Sequence, residues 1–207
     1  MSCELGADEL LGVYKPAKGE RRLWDFPAGL YRHEIAAFEL SRQLGWAIVP
    51  ETVERIDGPF GPGSIQRWVP KDAASHYFTL RDDPAWYPTL QSIAAFDVIA
   101  NNADRKSGHV LLAEGRVWAI DNGLCFHTDP EKLRTVIWDF EGLALPNHLL
   151  DDVRAFLDEG AISELANLLE DSEIEALVER ASRLVKNPIF PVIPEDRDWP
   201  PYPWPLV

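Results

Sequence analysis

The chain has 207 residues, of which 46% are hydrophobic and 26% charged, a size and balance suited to one sizeable domain or two small lobes sharing a cleft. Its formal net charge of −14 repels nucleic-acid backbones and anionic lipid surfaces, so no nucleic-acid partner is expected. No apolar run reaches membrane-spanning length, residues 1–9 lack the basic start and apolar middle of a secretion signal, and Cys3 and Cys125 make neither a disulfide framework nor a zinc site; a cytoplasmic protein without a transmembrane segment is expected.

Leu10 to Pro16 has the look of a short strand ended by proline. The dense basic cluster follows, with Lys15, Lys18, Arg21 and Arg22. Residues 30–44 predict a helix, because Tyr31, Ile35 and Phe38 share a face and Gly45 stops it. Residues 47–56 and 63–69 are strand-like, separated by a glycine- and proline-rich turn. Asp83 and Pro84 then open a helix running to Asn101, apolar over most of its circumference and therefore buried. Residues 109–121 predict a hairpin. Beyond it lie an amphipathic helix carrying Leu149, Leu150, Val153, Phe156 and Leu157, and another opened by a capping box of Ser172 and Glu175. Pro188 to Val207 is a proline-rich tail with Trp199, Tyr202 and Trp204, expected to be a strap packed on the body because its tryptophans need covering. Trp24, Trp46, Trp86, Trp118 and Trp138 are expected mostly in the core. The organisation expected is a β-rich part over residues 1–70, a helical part over 71–187, and the tail over 188–207.

The chemistry concentrates between Asp97 and Gly123. A buried helix ends in the polar loop Asn101 to Gly108, which feeds an apolar strand. If Glu114-Gly115 turns that strand back so that Ala113 faces Arg116, then His109 faces Ile120, next to Asp121. Asp104, His109 and Asp121 then converge on one cavity. Phosphoryl transfer needs hard oxygen ligands for a metal ion, a group that positions the attacking hydroxyl, and cations for the transferred charge. Asp121 suits the metal, Asp104 the hydroxyl, and Lys106 or Arg105 the phosphate. Asp97, on a buried helix face, is expected to anchor the loop.

These residues resemble a known family. Asp104-Arg105-Lys106-Ser107-Gly108-His109, an apolar hairpin and Asp121-Asn122-Gly123 look like the catalytic loop and metal-binding motif of the protein-kinase superfamily. Asn102-Ala103-Asp104-Arg105 is similar to the Asn-x-Asp-Arg of phosphatidylinositol 4-kinases and HipA-like kinases. Ile120-Asp121-Asn122-Gly123-Leu124-Cys125-Phe126 is similar to a segment of type II phosphatidylinositol 4-kinases. The resemblance, closest to the phosphatidylinositol 3-/4-kinase branch, spans roughly residues 10–160 and implies an α+β two-lobe fold with a truncated β-rich N-lobe carrying one helix and a mainly helical C-lobe. It implies ATP with Mg2+ or Mn2+ as cofactors. Lys15 would hold the ATP phosphates and Glu34 would pair with Lys15. Gln66, Arg67, Trp68 and Val69 would form the hinge that meets adenine through backbone groups. Asp104, with Arg105 and Lys106, would serve catalysis, and Asp121 with His109 the metal. The acceptor, whether a small molecule, a protein or a lipid headgroup, is not specified.

Two departures stand out. His109 occupies a position where the superfamily usually has asparagine, and imidazole suits manganese better than magnesium. No Gly-x-Gly-x-x-Gly is present, and the residues before Lys15 are too few for two strands and a glycine-rich loop. Either the chain begins late or Arg21 and Arg22 cover the phosphates instead. These departures motivate the alternative of a pseudokinase, a nucleotide- or partner-binding module. A metal hydrolase built on His76, His109 and His127 is the weakest reading, since these lack helical ligand spacing.

Overall fold

The computed structural model describes residues 2–5, 8–72, 74–158, 162–193, 196 and 200–207; Trp199 lies outside them. Lys15 sits near the end of the long strand β2 (Asp8–Pro16). The strand β1 (Ser2–Leu5) pairs with it, from Ser2 opposite Leu11 to Leu5 opposite Asp8. On its other side β2 pairs with β4 (Gly63–Arg67), which also pairs with β3 (Thr52–Arg55). The result is an antiparallel sheet in the order β1-β2-β4-β3. Among the described residues a single strand precedes the one bearing Lys15. Gly63 is required where β4 crosses Lys15: an added Cβ would lie 2.4 Å from the Lys15 carbonyl oxygen and 2.7 Å from the Pro16 Cα. The two expected strands over 47–56 and 63–69 are shorter than their apolar pattern, because Ile48 and Val49 are buried in the core rather than laddered.

The helix α1 (Tyr31–Gln43) follows a loop over residues 20–30. Its first turn is capped from a distance: the Glu20 carboxylate accepts the Gly29 N–H at 2.9 Å and the Tyr31 N–H at 2.7 Å, satisfying donors that no intrahelical carbonyl can reach. Its Ile35, Ala36, Ala37 and Leu40 face the core.

The second half begins with the short α2 (Tyr77–Leu80). Asp83 caps as expected by accepting the Ala85 N–H, but Pro84–Trp86 form a 3-10 turn and α3 (Tyr87–Ala100) starts after it. Leu90, Ile93, Phe96 and Ile99 of α3 are fully buried, each contributing about 1.5–3 kcal/mol of apolar transfer. The helix ends at Asn101, whose φ of +50° reverses the chain while its side-chain amide donates to the His127 and Asp129 carbonyls at 2.7 Å. The strands β5 (Val110–Ala113) and β6 (Arg116–Ala119) form the expected hairpin, with Ala113 opposite Arg116. Glu114 at φ +56° and Gly115 at φ +71° make the two-residue turn that such a pair favours, with no bulge.

The helices α4 (Asn147–Asp158), α5 (Ile162–Leu165) and α6 (Asp171–Lys186) complete the fold, and one apolar core runs from α1 through α3 and the hairpin to α4 and α6. The capping box of α6 is Glu170 with Glu173, not Ser172 with Glu175: the Glu173 carboxylate reaches back to the Glu170 N–H at 2.9 Å. Glu173 is free to do so because it is anchored on the inner face, 3.2 Å from the His33 ring. Trp118 is buried as expected, and Trp46, Trp86 and Trp138 are half-buried. Two tryptophans depart from expectation: Trp24 is 84% exposed and Trp204 is 87% exposed. Among the described residues no helix is long and apolar enough to cross a membrane.

Candidate active site

The site forms where the end of β2, the start of α1, and both ends of the hairpin meet. Lys15 projects from β2 so that its ammonium lies 2.5 Å from Glu34 Oε1 and 2.8 Å from Asp121 Oδ1. Glu34 is only 3% exposed, and its other contacts explain its rigidity. It accepts the Asn122 N–H at 3.2 Å and the Gly123 N–H at 3.0 Å. One carboxylate thereby joins the lysine strand to the turn that presents Asp121. Gly123 lets this happen, since a Cβ there would sit 3.2 Å from Glu34 Oε1. Asp121 has φ +57°, a left-handed turn that aspartate tolerates better than most residues. Burial works against the charge on Lys15, but Glu34 and then Asp121 outweigh it and keep the ammonium protonated above its ordinary range. For Asp121 burial is likewise outweighed, here by Lys15, His109 and Arg105, and its carboxyl is held below the usual range.

Beneath this turn lies a buried polar network that fixes the catalytic-loop candidate. Arg105 is 0% exposed. Its guanidinium grips both oxygens of Asp97 at 2.9 to 3.2 Å, and donates to the Ile120 carbonyl at 2.8 Å and to Asn122 Oδ1 at 2.6 Å. Asp97 also accepts from Thr135 and Asn102, and Asn102 accepts the Asp104 N–H at 2.9 Å. Asp97 and Asn102 hold the loop, as the pattern implied for Asp97. Arg105 holds it with them and so departs from its expected role: it does not meet a phosphate, because its donors point inward to the Asp97 carboxylate, the Ile120 carbonyl and Asn122.

Asp104 and Asp121 line the same cavity of about 180 Å³, together with Lys15, Glu34, Glu20 and Leu124. Burial raises the Asp104 carboxyl above its ordinary range, and the nearby Asp121 charge adds to this, although Lys106, 3.0 Å away, opposes it. His109 completes the group. The Ile120 N–H donates to its carbonyl at 2.9 Å, the cross-strand placement expected. Its Nδ1 lies 3.0 Å from the Asp104 carbonyl and 3.4 Å from the Lys106 N–H, so the shorter contact puts the ring proton on Nδ1. Nε2 then turns a lone pair toward Asp121 Oδ2, 3.3 Å away. Burial pushes the His109 pKa down to about 4, so at neutral pH no proton bridges these two acceptors. A neutral imidazole facing a carboxylate offers two donors that a divalent cation could take, the rest of its shell being left to phosphate oxygens and water. Among the described residues no group of three or more His, Cys, Asp and Glu side chains is gathered to hold a metal ion, here or elsewhere. His76 and His127 are not part of it: His76 caps α2, and His127 packs against Phe26 at 4.9 Å.

The expected hinge does not reach this cavity. The Arg67 N–H donates to Glu51, the Trp68 N–H donates to Leu11, and Gln66 is laddered on both sides while its side chain bonds Thr52. The Arg67 side chain pairs with Glu51 and Glu114 over the Trp118 ring. The Arg67 and Trp68 amides are thus taken within the fold, and the Val69 side chain packs with Leu111, Ala113 and Trp118. Arg21 and Arg22 line an adjoining cavity beside Pro27 and Gly29 that shares Glu20 and Leu30 with this one. Glu20 and Leu124 are wall residues that the sequence pattern did not single out. Glu20 acts on a helix start eleven positions away, a distance at which no capping motif is recognisable.

With this geometry in hand, relatedness can be stated. The chain is 38% identical to protein Rv2133c of Mycobacterium tuberculosis, across 98% of its own length and 86% of that protein. It belongs to the Rv2133c family. No family model matches it. Among solved structures it is similar to the Helicobacter pylori proinflammatory kinase CtkA, with a TM-score of 0.50 and 12% identity over 91% of this chain and 87% of that one. Hydra Fam20, solved with sugar, gives a TM-score of 0.46 at 15% identity, covering 89% of this chain and 80% of that one. This chain thus has a protein-kinase-like two-lobe fold.

Proposed function

We propose that this protein is an ATP-dependent phosphotransferase acting in the cytoplasm, with Asp104 and Asp121 at the centre of its site. The observation that carries this is the Lys15 ammonium held between Glu34 and Asp121 on the rim of a cavity that Asp104 also lines. In this reading Lys15 turns from Asp121 toward the phosphates when nucleotide binds, while Glu34 keeps it in place. Asp121 and His109 would hold a Mg2+ or Mn2+ ion, which supplies neutralisation of phosphate charge. Asp104, its pKa lifted by burial, orients the acceptor hydroxyl and takes its proton. Lys106, paired to Asp104, offsets charge on the transferred group. The finer kinship, to phosphatidylinositol 3-/4-kinases, rests on Asn102-Ala103-Asp104-Arg105 and Asp121-Asn122-Gly123.

The test is transfer of labelled γ-phosphate with Mg2+ and with Mn2+. We expect turnover, loss of at least a thousandfold in Asp121→Ala, and a similar loss in Asp104→Asn. Turnover unchanged by Asp121→Ala would remove the mechanism. The second reading, a pseudokinase, is favoured by His109 at the asparagine position. It predicts nucleotide binding without transfer under either metal.

A further inference from the structure

Next to the catalytic-site candidate lies a second cavity of about 310 Å³ that shares Asp104 and Leu124 with the first. Its other walls come from distant segments: Trp24 from the loop before α1, Lys106 from the catalytic loop, Lys132 and Arg134 from the segment after the hairpin, and Trp204 from the tail. The tail is held in place by its backbone. The Ser107 N–H donates to the Leu206 carbonyl at 2.8 Å, and the Pro201 carbonyl accepts from the Thr135 N–H at 3.1 Å and the Trp138 indole at 3.2 Å. These bonds seat the tail on the catalytic loop itself. Yet Trp204 is left 87% exposed, and Trp24 84% exposed. The Trp24 ring is nonetheless oriented, because the Lys132 ammonium lies 4.9 Å from its centroid and is itself anchored 2.8 Å from Asp25.

Two large apolar rings, both largely exposed, border the mouth of one cavity, the kind of apolar surface that marks a ligand site. The charge of the lining points the same way. Lys106, 3.0 Å from Asp104, Lys132, 2.8 Å from Asp25, and Arg134 bring three cationic groups to this lining in a chain whose net charge is −14. At this volume the cavity accommodates about one ring, the lower end of the range for small-molecule sites. Indole faces pack against the C–H face of a polyhydroxylated ring, cations take an anionic substituent, and Asp104 is at hand for a hydroxyl.

We propose that this cavity binds the acceptor, and that the acceptor is an anionic monosaccharide, with Trp24 and Trp204 stacking its ring and Lys106 and Arg134 meeting its charged group. The inference rests on the phosphotransferase reading for the word acceptor, but its binding chemistry is tested without nucleotide. Isothermal titration would compare glucose 6-phosphate, glucuronate, glucose and inorganic phosphate. The expected result is that at least one anionic sugar binds ten times or more tighter than both glucose and phosphate. Trp204→Ala should weaken that sugar at least tenfold while leaving inorganic phosphate unchanged, and Trp204→Phe should retain binding within about threefold, showing that the chain is folded. Phosphate binding as tightly as the sugars, unaltered sugar binding in Trp204→Ala, or binding by none of the probes would each overturn the proposal. None of these results alters the ATP experiment above, so the two readings fail separately.

Discussion

Replacing Arg105 by methionine removes the positive half of a buried ion pair while preserving most of the side chain's length. The guanidinium it deletes is inaccessible and serves Asp97, the Ile120 carbonyl and Asn122. What remains is a fully buried Asp97 with only Asn102 and Thr135 to stabilise it. Burial already lifts this carboxyl above its ordinary range against the pull of Arg105, so the variant will fold only with Asp97 protonated. Breaking a buried pair from one side costs about 3–5 kcal/mol. For a chain of this size that corresponds to a fall in Tm of about 6–20 °C. The double variant Asp97→Leu/Arg105→Met leaves no orphaned charge. It should be less destabilised than the sum of the two single changes by at least about 2 kcal/mol. Urea and thermal denaturation of the four proteins measure this. A cost below about 1 kcal/mol for Arg105→Met, or strict additivity in the double variant, would refute the view that this pair holds the loop.

Gly63→Ala should cost about 1–3 kcal/mol in denaturation experiments, because the new methyl meets the backbone of Lys15 and Pro16, which cannot yield without opening the β2–β4 ladder. Glu173→Gln should be about 1 kcal/mol less stable at pH 6, because a neutral amide oxygen caps the Glu170 N–H more weakly and the carboxylate beside His33 is lost. Burial raises the Glu173 carboxyl, but the His33 hydrogen bond and charge outweigh it and hold it below the ordinary range. Its contribution is therefore present above that ordinary range and lost as pH falls through the lowered value, so the deficit of the variant should shrink in melts at pH 3. If His109 holds the metal as proposed, His109→Asn exchanges a nitrogen donor for an oxygen one, and phosphate transfer by the variant should shift in preference from Mn2+ toward Mg2+, read as the ratio of rates in the two metals.

The local features of this protein were legible in its residues because short-range physics decides them. The α3 helix follows from its apolar circumference, with Asp83 and Pro84 opening the 3-10 turn that leads into it. The hairpin register follows from Glu114-Gly115, since a two-residue turn with positive φ leaves one way to align Ala113 with Arg116. That register alone brings His109 to the edge where Asp121 sits. Lys15 and Glu34 were identifiable as a pair by resemblance, and only the folded sheet sets their ammonium and carboxylate in contact across nineteen positions.

The tertiary structure decided everything that depended on a choice between solvent and interior. A polar loop containing Arg105 and Lys106 allows either cation to face a phosphate. The buried Asp97 captures the first, because an unpaired interior carboxylate is far costlier than a buried pair. The strand end at Gln66 to Val69 looked free to meet a base, but neighbouring segments take the amides of Arg67 and Trp68. Tryptophan composition argued for burial of Trp24 and Trp204. The chain instead spends its interior volume on aliphatic side chains and leaves these two rings at a cavity mouth, a placement that no window of sequence encodes because loop, catalytic segment and tail meet only in three dimensions.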